Sequence, residues 1–524
     1  MLALLGGQAA AHAGAPAGLR QESPCQPVTR IVLEGDDAAR FGWLSEATAS
    51  WVGRCLDPSG IERLVATLDD LMHGQGYLLD RVLVPPQSLE DGELRLYVHA
   101  VRVGKVRFLR DDAARSPDRG WGTWRNAFPI GPGDLLNVRD LEQGIEQMQR
   151  VPGQTVGTEL APGARADQVI VDILRQPGGW RERLRGVVTL DNSGSRALGR
   201  SLLSAQAELA QPLGLSDLLA VSGSTNAANP APDHRSQALA VDYSIPWGYH
   251  TFTFSKSHSR FAQMVQGTTT RFLSSGRSQG TQLRWHYRLL RAGTGTAGLF
   301  VAASTRRARS FIEDVELEFQ RHRTTNLEAG LTGSMRRGGA SADFELAWRR
   351  GMPWRDAQPD LPSAQAGGPT LRPRLWRLSG GIFVPFSIGQ TPLLYGLTLR
   401  AQHSSHAMLA IDQIGIGNRY TVRGFDGETV LQGENGYFVR NEWSLAGEQV
   451  ADVRFQPYAG LDAGRVWGPS AAGTRASWLA GAILGVRVSR GSLHADLALG
   501  TPLRKPAGFP AARWNAYLSV SHIF

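Results

Sequence analysis

From about residue 180 to the C-terminus, apolar and polar residues alternate with a period of two over about 345 positions, and no long helix-period segment interrupts them. Leu283, Trp285, Tyr287 and Leu289 alternate with Gln282, Arg284, His286 and Arg288. Leu393, Tyr395, Leu397 and Leu399 alternate with Gly396, Thr398 and Arg400. Phe344, Leu346 and Trp348 do the same against Asp343, Glu345 and Arg349. Successive side chains of a strand point to opposite faces, so each segment has one apolar and one polar face. A β-sandwich alternates too, but it closes its core within about 100 residues. No second core signal divides this region. No stretch approaches about 18 consecutive apolar residues, which excludes a helical membrane span and leaves open a barrel whose strands alternate. At ~20–22 residues per strand and connection, the region holds about 16 antiparallel strands. The last of them, Asn515–Phe524, puts Leu518, Val520 and His522 on one face and ends on an aromatic residue.

The N-terminal part has a different texture. Ile31–Gly35 reads as a strand and Leu44–Val52 as a helix. A second helix opens at Asp57-Pro58, with Asp57 as N-cap, and runs to Gly74-Gln75-Gly76. Its apolar positions Ile61, Leu64, Val65, Leu68, Leu71 and Met72 follow helical spacing. Strands follow near Leu79–Val84 and Glu93–Val98. A similar unit comes next, with a strand at Val103–Leu109, a helix at Val138–Met148 and a strand at Val169–Leu174; the polar segment 111–125 has no assignable pattern. The domains are therefore residues 25–100 and 101–176, both small α+β units, then 180–524, a membrane β-barrel. Residues 1–13 read as a short secretory signal or its remnant, with Ala11-His12-Ala13 as the cleavage candidate.

The formal net charge is +9. Lysine occurs only at Lys105, Lys256 and Lys505, and the arginines are scattered along the chain. This points to a charged surface or lumen rather than a nucleic-acid footprint. The two cysteines, Cys25 and Cys55, sit inside the first small domain and read as one disulfide, which implies an oxidising compartment. No metal-ligand spacing and no Gly-x-x-x-x-Gly-Lys phosphate loop is present, so no cofactor is expected. Gly276-Arg277-Ser278-Gln279-Gly280 matches the Gly-x-Ser-x-Gly pattern. That chemistry needs a strand–turn–helix elbow, whereas these residues read as a loop between alternating strands. The histidines on strands, such as His286, alternate with apolar residues and are expected to face the lumen.

Several motifs resemble the outer-membrane transporters of two-partner secretion, within the superfamily of POTRA-containing barrels. Gly76-Tyr77, Arg81, Pro85, Gln87, Leu89 and Asp91-Gly92-Glu93-Leu94 resemble the family's first POTRA domain. Leu136-Asn137-Val138-Arg139-Asp140-Leu141-Glu142-Gln143-Gly144 resembles the helix of its second. Val422-Arg423-Gly424-Phe425 is similar to the signature of a long loop, here around 415–436, that folds back into the barrel lumen. Leu461-Asp462-Ala463-Gly464 resembles the strand whose Asp faces that Arg. The family's N-terminal plug helix is not expected between the cleavage candidate and Cys25: it is either absent or lies upstream of a misplaced start.

The resemblance implies a non-enzymatic outer-membrane pore with periplasmic POTRA domains. It would pass a large secreted exoprotein, recognised through its N-terminal secretion domain, from periplasm to cell surface. It implies Arg423 and Asp462 as a lumen latch flanked by Val422, Gly424 and Phe425. It also implies contact with outer-membrane lipid, and with the barrel-assembly machinery through a C-terminal strand ending at Phe524. An insertase of the same superfamily and an outer-membrane enzyme are the alternative readings. The first lacks the Leu-Glu-Gln-Gly helix, and the second needs a catalytic constellation that is missing here.

Overall fold

The computed structural model describes residues 25–524 apart from 36, 113–114, 116, 119, 180, 229–230, 232 and 470–476. The signal-peptide reading therefore lies outside the described residues. Two compact units emerge. One runs to Lys105 and includes 132–138 and 161–170; the other comprises 106–131, 139–160 and 171–524.

The first α+β domain packs helices α1 (Leu44–Thr48) and α2 (Pro58–Gly74) on a three-stranded sheet. The sheet order is Arg30–Glu34, Glu93–His99, Arg81–Leu83, with the first pair parallel. Asp57 caps α2 by accepting from the Gly60 N–H at 2.7 Å, and Pro58 occupies the first turn, where its missing N–H costs nothing. The helical stripe Leu64, Leu68 and Met72 is fully buried against Phe41, Leu94 and Leu96. Helix α1 is shorter than its apolar spacing suggests, because Ala49–Trp51 tightens into a 3-10 turn. Cys25 and Cys55 are disulfide-bonded with their Cα atoms 5.3 Å apart, beside the two-residue pairing of Gln26–Pro27 with Cys55–Leu56.

The second domain has helix α3 (Val138–Gln149) and a sheet in the order Arg102–Arg110, Gln168–Pro177, Gln154–Pro162. The strand Gln154–Pro162 escaped the sequence reading, because its apolar positions are interrupted by Gly157 and Glu159. In the unassigned segment before α3, the described residues Asp118 and Trp121 are held by polar contacts. Asp118 pairs with Arg175 at 2.6 Å, both almost fully buried, and the Trp121 indole donates to the Gln211 carbonyl at 2.9 Å.

Among the described residues the barrel closes through sixteen long antiparallel strands, from Leu184–Asp191 to Asn515–Ile523, which pair with each other. Closure leaves no strand edge in lipid, where an unpaired backbone group would be costly. The alternation resolves as read. Leu239, Phe254, Leu283, Leu331 and Trp376 point outward and are exposed, while Arg284, Glu328, Arg349 and Glu442 point into the lumen. A bulge between Arg288 and Leu290 shifts the phase, so the consecutive leucines Leu289 and Leu290 are both exposed. Phe524 lies just past the last strand and exchanges backbone hydrogen bonds with Gly186 of the first.

Two expectations need correction. Residues 276–280 are not a loop but part of the 22-residue strand Arg271–Ala292; the segment lacks apolar alternation because it extends beyond the apolar band. His286 faces the lumen and contacts the Thr332 hydroxyl at 2.9 Å, but His250 faces outward, stacked with Phe252 and Trp285. Its ring nitrogen accepts from the Trp285 indole, so the imidazole joins an aromatic girdle instead of a polar lumen.

Candidate functional site

Residues 405–434 connect the strands Thr391–Ser404 and Asn435–Leu445 and fold inward. A small hairpin, Ile414–Ile416 with Leu431–Gly433, forms the stem. At the tip, Arg423 is only 4% exposed, a cost that strong partners must offset. Its Nε donates to Asp462 Oδ2 at 2.7 Å and its Nη2 to Asp462 Oδ1 at 2.9 Å. The Arg423 backbone N–H also donates to Asp462 Oδ2, at 2.9 Å. Nη1 donates to Glu442 Oε2 at 2.6 Å. Glu442 in turn accepts from Arg487 at 2.7 Å, and Arg487 lies 3.6 Å from Asp496. The planar guanidinium fork thus meets one carboxylate with two bonds and a second with one, a geometry lysine cannot copy.

Gly424 has φ +105°, and an added Cβ would lie 2.5 Å from the Thr501 carbonyl. Its N–H donates to the Tyr517 hydroxyl, which donates onward to the Phe425 carbonyl at 2.8 Å. Val422 and Phe425 are buried with Ile416, Phe438, Leu479 and Phe509, so the tip carries a small apolar core into the polar lumen. The wall beneath is smoothed by glycine. A Cβ on Gly481 would fall 1.9 Å from the Arg423 carbonyl, and one on Gly460 would fall 2.4 Å from its Nη2.

The loop has further attachments that the sequence reading did not include. Asp412 lies 3.6 Å from Arg306 and 3.7 Å from Arg349, and Glu328 joins Arg349 to Arg377. Glu428 accepts from the Arg196 backbone N–H at 2.9 Å. Arg419 approaches Asp191 of the first strand at 3.9 Å and donates to the Leu518 carbonyl of the last at 3.3 Å. Loop acids facing wall arginines were the available signal, but it becomes readable only once the register is known.

A second constellation joins α3 to the barrel turn after Trp247. The Gln143 and Gln147 amides both donate to the Gly248 carbonyl, at 3.1 and 2.9 Å. Tyr249 donates to Asp140 at 2.5 Å, and Glu146 pairs with Arg288 at 2.8 Å and with Arg291. Gly144 admits the Phe128 ring, where a Cβ would stand 2.2 Å away. The Leu-Glu-Gln-Gly motif is thus a docking surface of the helix as well as a marker of it.

Two α+β domains ahead of a closed sixteen-strand barrel, with a long loop pinned inside by Arg423 and Asp462, define the POTRA-barrel class of outer-membrane proteins. Comparison with known proteins gives the family. The pattern described as "Haemolysin secretion/activation protein ShlB/FhaC/HecB" matches residues 169–488, and POTRA patterns match 26–100 and 102–162. The chain is 34% identical over 94% of its length to the outer membrane transporter CdiB-2 of Burkholderia pseudomallei, covering 86% of that protein. It is 28% identical to the haemolysin transporter protein ShlB of Serratia marcescens, over 87% of this chain and 78% of that one. The solved structure of CdiB from Escherichia coli superposes with a TM-score of 0.82 at 26% identity, covering 98% of this chain and 93% of that one. The chain belongs to the haemolysin secretion/activation family. It is a two-partner secretion transporter of the outer membrane, with its POTRA domains in the periplasm.

Proposed function

We propose that the chain captures the N-terminal secretion domain of an unfolded exoprotein on its POTRA domains and passes the exoprotein through the barrel. In this reading Arg423 and Asp462 are the latch that keeps the inward loop in its transport-competent position. The observation that carries it is the buried fork between the two residues, reinforced by the Arg423 backbone N–H on the same carboxylate. Removing one partner of a desolvated pair costs about 3–5 kcal/mol, less where lumen water reaches it. Even ~1.4 kcal/mol shifts a loop equilibrium tenfold. The three-stranded POTRA sheets offer open edges for strand addition, which binds main chain without demanding one sequence. The periplasm supplies no ATP, so folding of the exoprotein outside drives the passage. The last strand, with Phe524, engages the barrel-assembly machinery during insertion.

The test is a double-mutant cycle on exoprotein secreted into the medium, normalised to folded barrel by heat-modifiable migration. Arg423→Ala and Asp462→Ala are each expected to cut secretion about tenfold or more, the arginine more because it also holds Glu442. The double variant should be no worse than Arg423→Ala. Additive defects would mean that the two residues act separately.

A further inference from the structure

On the outer wall of the barrel, a groove of about 830 Å³ opens toward the extracellular ends of the strands. Its apolar part is made by Phe254, Leu283 and Trp354, all exposed. Its polar part carries four outward-facing cations, Lys256, Arg307, Arg323 and Arg355, against one acid, Asp356; a fifth lining residue, Arg306, turns inward toward Asp412. The alternation that turns Phe254 and Leu283 outward turns Lys256 and Arg307 outward too, and Arg323 stands directly across the ladder from Arg307. The segment after Met352 folds over this outer face, with the Thr325 hydroxyl donating to the Trp354 carbonyl at 2.8 Å. Among the described residues none of the four cations makes an ion pair.

The groove belongs to a wider basic surface. Arg260, Arg277 and Arg309 lie side by side in cross-strand register on three consecutive strands. Arg350 stands opposite Arg374 in the same way. Like charges directly opposed on a sheet face are destabilising. Local partners quench them only in part: Gln237 accepts from Arg260, Arg277 lies over the Phe311 ring, and Glu316 is 3.7 Å from Arg309. The apolar band ends at Leu283 and Phe254, and the cations begin one side-chain repeat above it. This is the depth at which an outer-leaflet lipid changes from acyl chain to headgroup.

We propose that the groove binds the phosphorylated glucosamine headgroup of an outer-leaflet glycolipid, the lipid A class. Its acyl chains lie over Phe254 and Leu283, and its phosphates between Lys256, Arg307 and Arg323. Two negative phosphates relieve the repulsion of the facing Arg307 and Arg323, so the lipid acts as the missing counter-charge of this wall. The inference rests on the outer-membrane placement of the barrel and is independent of the latch.

The test uses the full-length protein in detergent micelles, titrated with bisphosphorylated lipid A, with lipid A lacking both phosphates, and with inorganic phosphate. Bound lipid is counted by native mass spectrometry. The bisphosphorylated form is expected to bind at least about tenfold better than the dephosphorylated form. Arg307→Gln/Arg323→Gln should lose that preference, while Arg490→Gln, on an exposed residue at the periplasmic end, should keep it. If the double variant does not fold, the comparison of the two lipids on the unaltered protein still decides. Equal binding of both lipids would overturn the proposal, as would inorganic phosphate displacing lipid A completely at equal concentration. Retained preference in the folded double variant would overturn it too.

Discussion

Gly481 stands directly across the ladder from Asp462, and the space over its Cα is taken by the Arg423 carbonyl. The anion that grips the Arg423 side chain and the bare position that admits its backbone are therefore neighbours on one wall. The pair defines a seat for a single residue of the loop. Gly481→Ala should unseat the tip while leaving every charge in place. Secretion should fall about tenfold, as for loss of the arginine itself, because a Cβ 1.9 Å from backbone cannot be absorbed by a rotamer change. Gly396→Ala, where a Cβ meets nothing within 4 Å, should be silent. Exoprotein in the medium, normalised to folded barrel, reports both.

Glu146 is the anionic centre of the contact between α3 and the barrel turn. Replacing it with Gln should leave Arg288 without its carboxylate and Arg291 with only the more distant Glu142, at 3.7 Å, and loosen the helix by about 1–3 kcal/mol. Hydrogen exchange at the amides of Gly248 to Thr251 should quicken accordingly. Pairing Glu146→Gln with Arg288→Gln should show sub-additive effects, since both break one contact. Unchanged exchange would mean that the two glutamine bonds to Gly248 and the Tyr249–Asp140 bond hold the helix without Glu146.

Asp80 in the first POTRA domain is fully buried, and desolvation pushes its carboxyl up to about 6 despite the bond it accepts from the Val101 N–H. A carboxyl whose folded-state pKa is raised favours the folded state most when protonated. Its contribution is therefore present at low pH and is lost as pH rises from about 4 through 6, by roughly 3 kcal/mol at most. Asp80→Asn should therefore stabilise the domain at pH 8 and do little at pH 4.5. Protection of the Leu64 and Leu68 amides in the full chain, compared with wild type at each pH, checks the sign; a larger gain at the acidic end would refute it.

Cys25 and Cys55 close a loop of 30 residues, which the chain-entropy estimate values at about 3.5 kcal/mol. Cys55→Ser should lower the unfolding temperature of the first domain by several degrees and leave the barrel's heat-modifiable shift unchanged. A non-reduced digest of the wild type should yield the linked peptide; two freely alkylated thiols would contradict the pairing.

Much of this architecture is legible in the chain because strand alternation is a local property. Leu283 and Arg284 announce their opposite faces to any reader, and the stripe Leu64, Leu68, Met72 announces a helix. The partners across the lumen are not local. Nothing near Asp412 in sequence points to Arg306 or Arg349. Their meeting depends on strand register and on how far the loop folds in, which arise only when the sheet closes. The bulge at Leu289-Leu290 shows the same limit on a smaller scale, since one inserted residue reverses the faces that follow. In the segment before α3, Asp118 and Trp121 gave no pattern because charge pairing and an indole bond hold them, and neither has a period.

The loop's several attachments also have a mechanical meaning. A ring of strands joined only edge to edge can flatten from round to oval, since each ladder hinges a little. Five long strands separate the one that carries Arg306 from the one that carries Asp462, and the loop is bonded to both. It also reaches the meeting point of the first and last strands through Arg419. It behaves as an internal tie rod with three feet, setting the cross-section of the cylinder as well as filling it. A passing polypeptide therefore works against the roundness of the wall, and whichever foot releases first decides the direction in which the barrel yields.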